Sequence, residues 1–200
     1  MIIQDGHGTA AKAKVSKSGR VSTAALTLPA EQLASRQGNG FNVNTGQITL
    51  TSANKSALVY IKNTNVVALN LIIPAFIYMF GPSTGGTGMV LVQVERGPTA
   101  GTLVSGGTSF DAVNRHFGST KSLTATVLKG SEGSTLTGGT VIFESLVSPS
   151  SRNVVTVGAV ILPPNSTVGI TVTPQASNTS MLVMLALEIY LGTFDEELNV

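Results

Sequence analysis

The side chains best suited to catalysis lie in one stretch, SFDAVNRHFGST (residues 109–120), which holds Asp111, His116 and Ser119. An acid, a histidine and a serine are the members of a hydrolytic triad. A triad also needs an oxyanion site and convergence in space, and local spacing supplies neither. We therefore interpret His116 as a histidine of a surface loop.

A second candidate is the glycine-rich segment Gly81–Gly88, GPSTGGTG, which has the glycine content of a phosphate-binding loop. A Walker loop requires a lysine and then a serine or threonine after its last glycine, to meet phosphate and magnesium. Here Gly86 is followed by Thr87 and Gly88, and no helical pattern comes next. The segment is interpreted as the tip of a hairpin.

The acidic and metal-ligating residues form no recognisable set. Glu95, Glu132 and Glu144 are separated by strand and turn patterns, and His7 and His116 lack ligand spacing. The chain has no cysteine, which excludes disulfides, thiolate ligands and a cysteine nucleophile. We expect no catalytic residue, no cofactor and no metal site, and therefore a protein that is not an enzyme.

Two glutamates interrupt apolar strand patterns. Glu144 and Glu188 could each face solvent at their position in the pleat. Alternatively, each could form an ion pair at a subunit contact, with Arg96 or Arg152 as the partner. The sequence leaves both interpretations open.

The charge of the chain is small and unevenly distributed. Only 11% of the residues are charged, against an average of about 25%, and the net charge is +2. A net charge this small does not indicate a protein that binds nucleic acid. Four basic residues lie within the first 20 positions: Lys12, Lys14, Lys17 and Arg20. An acidic cluster occupies residues 195–197. Either both segments are solvated tails, or the basic arm meets an acidic surface on a neighbouring subunit or partner shell.

The stretch Val67–Glu95 is interpreted as the central hairpin that positions the remaining elements. Val67–Phe80 is apolar on both faces, Gly81–Gly88 turns, and the chain returns over residues 89–95. Pro74 has no backbone N–H to donate to a neighbouring strand, so we expect either a bulge or a bend between two sheets there.

The remaining sequence has the period-two pattern of strands separated by turn residues. A short helix or turn is expected after Pro29, ended by Gly38 and Gly40, and residues 180–191 are interpreted as a central strand. Eight or nine strands with almost no helix predict an all-β fold. We expect a single antiparallel β-sandwich, jelly-roll-like, over residues 21–200, with an extended N-terminal arm over residues 1–20 and at most one short helix.

Neither export nor membrane insertion is expected. The opening residues, MIIQDGHGTAAKAK, lack the apolar core of a signal peptide. No run of about 20 apolar residues occurs, since Asn70 and Pro74 interrupt the longest one.

The chain as a whole resembles small virion proteins encoded by tailed bacteriophages. The segments that carry the resemblance are AAKAKVSKSGRVST, GFNVNTGQITLTSANKSALVYIKN, STGGTG, GPTAGTLVSGGT, KGSEGSTLTGGT and LPPNSTVGITVTPQASNTSM. The resemblance implies an auxiliary capsid role, as a cement or decoration protein, commonly a jelly-roll-like trimer placed where capsomers meet. It transfers no site residues.

The function expected from the resemblance is that of a virion structural protein that binds and reinforces the capsid. Its expected partners are the major capsid protein of the same particle and further copies of itself, with a trimer favoured and no nucleic acid or membrane. Its expected location is the capsid surface, after synthesis in the host cytoplasm. Two alternatives stay open: a tail, neck or fibre-base component, and a jelly-roll module that binds a host receptor or glycan through Tyr60, Tyr78 and Tyr190.

Overall fold

The computed structural model describes residues 30–66, 69–81, 89–148, 152–155, 160–175 and 181–192. The chain divides into two compact units, Met1–Ala30 and Glu31–Val200, and every strand below belongs to the second. The predicted basic arm, with Lys12, Lys14, Lys17 and Arg20, lies outside the described residues, as do residues 82–88 of the predicted hairpin tip. The boundary at residue 20 stays a prediction.

The described residues form fourteen strands and two short helices. In chain order they are α1 (Ala30–Arg36), β1 (Gly40–Asn44), β2 (Ile48–Leu50), β3 (Ser56–Asn63), β4 (Asn70–Ile73), β5 (Phe76–Phe80), β6 (Val90–Arg96), α2 (Thr102–Gly106), β7 (Thr108–Ser109), β8 (Val113–Asn114), β9 (Ala125–Lys129), β10 (Thr140–Val147), β11 (Arg152–Val155), β12 (Val160–Leu162), β13 (Thr167–Pro174) and β14 (Met181–Gly192).

These strands make two sheets that enclose one main apolar core. The eight-stranded sheet has the order β11-β5-β14-β1-β8, with β2 and β4 also on β14 and β12 beyond β4. The six-stranded sheet has the order β10-β6-β13-β3-β9-β7. Every strand pairing in the described chain is antiparallel. The predicted all-β antiparallel sandwich is confirmed.

Strand β14 is the centre of the eight-stranded sheet. It pairs with β1 and β2 along one side and with β4 and β5 along the other. Its odd-numbered residues from Met181 to Ile189 are buried, and the residues between them are half-buried. This alternation follows the period of two in a pleated strand, so the predicted central strand is confirmed.

The predicted central hairpin is wrong. β5 and β6 lie in different sheets, so the chain crosses the sandwich between them. β5 is already paired on both sides, with β14 and with β11, and β6 is paired with β10 and β13. Neither strand has a free edge for the other, and each instead turns its alternate apolar residues into the shared core.

Pro74 interrupts a strand within one sheet. β4 pairs with the end of β14, and β5 pairs with β14 further along the same side. Of the two alternatives for Pro74, a local irregularity fits and a bend between sheets does not. Thr45 interrupts the other side of β14 between β1 and β2, where its Oγ1 accepts the Leu185 N–H at 3.0 Å. Such interruptions explain why the structure has more strands than the sequence predicted.

Two helices are present where at most one was expected, so that part of the prediction is wrong. The first, α1, lies where the sequence placed it, and Gly38 follows with φ 71°. The second, α2, lies in the segment 97–120, which is dense in glycine, serine and threonine. Its Leu103 is buried against Ala57 and Tyr60. Burial of one leucine by tertiary contacts outweighs the weak helix propensity of so short a segment.

Candidate interaction surfaces

The three residues that resemble a triad are not joined into one. The Ser119 Oγ accepts hydrogen bonds from the Asn114 Nδ2 at 3.3 Å and from the Lys121 backbone N–H at 3.2 Å. In the described chain no hydrogen bond links the side chain of His116 to Ser119 or Asp111. His116 and Ser119 instead lie in the tight turn that follows β8, and Asp111 lies before that strand.

The segment Gly81-Pro82-Ser83-Thr84-Gly85 matches the G-x-S-x-G pattern of a nucleophile elbow, a match that the sequence reasoning missed. The elbow requires a strand, a sharp turn and then a helix. Strand β5 ends at Phe80, and the next described element is strand β6 from Val90. Among the described residues, the elements before and after this segment are both strands, and no helix directly follows it.

The glutamates that interrupt strands have partners in their own chain. Glu188 forms an ion pair with Arg115, with 3.2 Å between the Arg115 Nη1 and the carboxylate. Glu144 accepts a hydrogen bond from the Gln93 Nε2 at 3.2 Å. Neither contact involves Arg96 or Arg152, the partners that the sequence suggested. Among the described residues, no group of three or more histidine or acidic side chains could hold a metal ion.

Glu95 takes part in a buried polar contact that sequence reasoning missed. Its carboxylate accepts hydrogen bonds from the Lys55 ammonium group at 2.6 Å and from the Thr171 hydroxyl at 3.3 Å, and Glu95 itself is buried. The carboxylate is thus compensated by a charge that remains partly in solvent. The available signal was a glutamate at the end of an otherwise alternating apolar strand, VLVQVE.

Glu132 connects two loops that are 80 residues apart. Its Oε1 accepts the backbone N–H groups of Thr51 at 2.6 Å and Ser52 at 2.7 Å, and its Oε2 accepts the Thr51 hydroxyl at 2.8 Å. Desolvation raises the pKa of Glu132, but the hydrogen bonds from Thr51 and Ser52 outweigh it, so the net pKa lies below the ordinary value of 4.5. The ionised form is the one that these donors stabilise.

A Glu132→Gln substitution should lower the free energy of unfolding by about 1 kcal/mol at neutral pH, because an amide replaces a carboxylate that accepts three hydrogen bonds. A carboxylate with a lowered folded-state pKa stabilises fully above its ordinary pKa. That contribution is lost as the pH falls through the lowered value. The difference between variant and wild type should therefore shrink as the pH falls below the ordinary value of 4.5 and through the lowered one.

Urea unfolding at pH 7 and pH 3 would measure this effect. Glu144→Gln is the matched control, since Glu144 is exposed and accepts one hydrogen bond within the described part of the chain. An equal cost for both variants, or a Glu132→Gln cost independent of pH, would contradict the assignment.

Strand β10 is an unusually apolar edge. It pairs only with β6 in the described sheet, so its other side has no strand partner there. Three of its apolar side chains are exposed: Val141, Ile142 and, at 53% exposure, Leu146. An exposed apolar edge strand can pair with another chain. The register shift between Val141 and Phe143 limits the regular part of this edge to residues 143–147.

An open groove of about 930 Å³ lies beside β10. Its apolar wall includes Ile142, Val160 and Ile161, and Lys62 and Arg96 also line it. Lys62 and Arg96 flank β13, since Lys62 pairs with Thr167 and Arg96 with Val168. In the described chain, neither cation forms a salt bridge with a carboxylate.

Among the described residues, the most exposed aromatic side chain lies on the turn after β8. Phe117 is 105% exposed, and Val113 of β8 is 65% exposed. Asn114 holds this turn: its Nδ2 donates to the carbonyls of Gly38 at 2.9 Å and Lys121 at 3.1 Å, and its Oδ1 accepts the His116 N–H at 2.9 Å. The phenyl ring is therefore displayed by an ordered turn.

The tyrosines do not form the aromatic platform that a glycan-binding module would use. Tyr60 and Tyr78 are buried, and Tyr190 is half-buried. The pKa values of Tyr60 and Tyr190 are raised, chiefly by desolvation. Tyr78 faces an internal cavity of only about 10 Å³ with a mostly apolar lining, which is too small for a sugar.

No family model matches the chain, and no curated protein matches it. Among solved structures, one similar chain comes from the crystal structure of the infectious bursal disease virus VP2 subviral particle. The two are 11% identical, with a TM-score of 0.12, over 80% of this chain and 41% of the other. This chain thus spans about two-fifths of that protein's length, and a similarity this weak carries no argument about fold or function.

Within the described residues, no helix is long and apolar enough to cross a membrane.

Proposed function

We propose that this chain is a virion structural protein of a tailed bacteriophage, which binds the capsid and reinforces it as a cement or decoration protein. The observation that carries the proposal is the apolar edge strand β10, which leaves Val141, Ile142 and Leu146 exposed on an otherwise well-packed sandwich. When a second protein covers such side chains, the complex is stabilised by about 25 cal/mol per Å² of apolar surface removed from water.

The composition supports the same proposal. A surface with few charges is suited to close packing in an assembly, because charged residues are depleted at the centres of interfaces. The resemblance of several turn and strand segments to small phage virion proteins indicates which kind of assembly. A protein that binds only the assembled shell stabilises that shell by mass action.

The basic arm is proposed to supply the electrostatic part of attachment. Lys12, Lys14, Lys17 and Arg20 would contact an acidic surface of the major capsid protein or of a neighbouring copy. Attachment through exposed charges weakens as salt shortens the range of the interaction, to about 8 Å at physiological ionic strength. Residues 21–200 would then fold without the arm.

Deletion of residues 2–20 should weaken attachment to purified particles at least about tenfold, while the β-sandwich unfolds at an unchanged temperature. Co-sedimentation with particles over a range of salt concentrations measures the first effect, and circular dichroism measures the second. A quadruple Lys12→Gln, Lys14→Gln, Lys17→Gln, Arg20→Gln variant tests whether charge is the cause. Arg36→Gln, at an exposed position of the folded part, is the control.

Equal decoration of particles by the full-length and truncated chains would contradict the role of the arm. Gold labelling of the bound protein, viewed by negative stain, tests the location. Label over the whole lattice is the expected result. Label confined to one vertex would favour the tail or neck alternative, and no binding to particles would overturn the capsid function.

A further inference from the structure

Two cations line the groove beside β10 without a charged partner. Lys62 and Arg96 flank the start of β13. Among the described residues, neither cation forms a salt bridge, and no acidic side chain lines the groove. The carboxylate next to Arg96 on β6 is that of Glu95, which is already paired with Lys55 at 2.6 Å. The groove therefore suits an occupant that carries negative charge.

Strand β14 ends at the same end of the sandwich as these two cations. Its last residue, Gly192, pairs with Asn70 of β4. The carbonyl of the preceding residue, Leu69, accepts a hydrogen bond from the Asn63 Nδ2 at 2.9 Å, and Asn63 follows Lys62 on β3. The same amide donates at 2.8 Å to the last residue of β12, which lines the groove. The end of β14 is thus connected to the groove through one buried asparagine.

The sequence that follows Gly192 is long enough to reach the groove. The path just traced from Gly192 to Lys62 is about 22 Å long, and the direct distance is shorter. Residues 193–200, TFDEELNV, lie outside the described part of the chain and include the acidic cluster 195–197. An extended chain carries these acids about 10–18 Å beyond Gly192. The lengths of the lysine and glutamate side chains cover the remaining distance.

We propose that residues 194–198 bind in the groove of their own chain, with their carboxylates on the two groove cations. The segment has the composition that the groove requires, because its three acids are flanked by Phe194 and Leu198. The groove has an apolar wall that includes the exposed Ile161. Its volume of about 930 Å³ lies at the upper end of the range of about 300–1,000 Å³ for ligand pockets. Burial of apolar surface and pairing of charges both stabilise the contact.

Another cation near the end of β14 is less suited to this segment. Lys121 lies on the opposite side of the strand, where the Asn39 carbonyl accepts the Leu191 N–H. The Lys121 Nζ donates to the Asn39 Oδ1 at 2.9 Å and to the Gln37 carbonyl at 3.0 Å. It is a single cation with two oxygen partners, whereas the groove offers two cations that no described carboxylate neutralises. Lys121 is the competing site that the test has to separate.

Carbodiimide crosslinking of the full-length chain tests the contact, because this reagent joins a carboxylate directly to a lysine amine with no spacer. Mass spectrometry should find Lys62 joined to the acidic cluster 195–197. In a mixture of isotope-labelled and unlabelled protein, the two joined peptides should come from the same copy. The Lys62 product should fall about two- to fivefold in Arg96→Gln, the effect of losing one exposed ion pair. Arg36→Gln, at an exposed position elsewhere, is the matched control and should change nothing.

Acetylation of lysine amines gives a second measurement that needs no crosslink. The triple variant Asp195→Asn, Glu196→Gln, Glu197→Gln should speed the acetylation of Lys62 about two- to fivefold, because it removes the carboxylates that pair with the ammonium group. The acetylation of Lys121 in the same sample should stay at its wild-type rate. Circular dichroism would verify that each variant folds.

The proposal is wrong if the acidic cluster is joined to Lys121, to the lysines of residues 1–20 or to no lysine, and not to Lys62. It is also wrong if the joined peptides come only from different copies. A Lys62 product unchanged by Arg96→Gln, or a Lys62 acetylation rate unchanged in the triple variant, would overturn it as well. The contact lies within one chain and does not depend on capsid binding. Particle binding is measured separately, so a protein that binds no particles would reject the capsid function and leave this contact in place.

Discussion

A Leu185→Ala substitution should lower the free energy of unfolding by about 2 to 5 kcal/mol, the range for leucine truncation in a packed core. Leu185 is buried at the centre of β14, where it pairs with Tyr78 of β5 and bonds through its backbone to Thr45. The cost includes the lost transfer free energy of the removed carbons and the cavity that remains among neighbours held by both sheets. A loss of this size is a large part of the total stability of a domain, which is about 5–15 kcal/mol.

Equilibrium unfolding in guanidinium chloride would measure the change from the shift in midpoint at constant slope. Leu182→Ala is the matched control, because Leu182 lies on the same strand with its side chain on the opposite, half-buried face. It should cost about 1 kcal/mol or less. If both substitutions cost the same, β14 would not have the inward and outward faces assigned to it.

A Gly101→Ala substitution should cost about 3 kcal/mol or more, from two causes that act together. Gly101 has φ 120° and ψ 169°, a backbone region that is essentially restricted to glycine. A Cβ at this position would overlap the carbonyl oxygen of Thr135 and lie 2.7 Å from its carbonyl carbon. The neighbour is backbone, so it cannot rotate away as a side chain could.

Displacement of Thr135 would also disturb the contacts that hold α2. The Thr102 N–H donates to the Thr135 Oγ1 at 3.1 Å, and the Thr135 N–H donates to the Thr102 Oγ1 at 2.9 Å. Hydrogen exchange should therefore show faster opening of residues 102–106, in addition to the lower unfolding midpoint.

Gly97→Ala separates the two causes. Gly97 also has a positive φ, 74°, but a Cβ there would meet nothing within 4 Å. It should cost about 1–2 kcal/mol, the backbone term alone. An equal cost at both positions would show that the close approach of Thr135 contributes nothing.

Much of the secondary structure follows from patterns of a few residues. The alternation of Phe41 and Val43 with asparagines predicts β1, and the same alternation of Val168, Ile170 and Val172 predicts β13, because a pleated strand turns successive side chains to opposite faces. Both strands are confirmed.

The pattern fails locally at β3, where strict alternation would place Ala57, Val59 and Ile61 on one face. The partner register shifts at this point, so that Ala57 packs with Tyr60 while Leu58, Val59 and Ile61 enter the main core. A bulge inserts one residue and exchanges the faces beyond it. A single sequence contains no signal that places such a residue.

The pairing of strands could not be predicted either. Adjacency along the chain suggested that β5 and β6 form a hairpin, because consecutive strands often pair. The structure places them in opposite sheets, since β11 and β14 occupy both edges of β5. Which strand pairs with each edge of β5 depends on residues up to about a hundred positions away in the sequence. Local periodicity carries no information about such distant partners.

Some features of the candidate surfaces follow from the sequence, and others depend on the tertiary structure. Composition alone indicated a surface with few charges, a basic arm and no recognisable ligand set, because these depend only on which residues are present. The interaction edge β10, the groove at Ile161 and the displayed Phe117 depend on which side chains the rest of the chain leaves uncovered. Exposure is a property of the whole packing, so only the tertiary structure decided it.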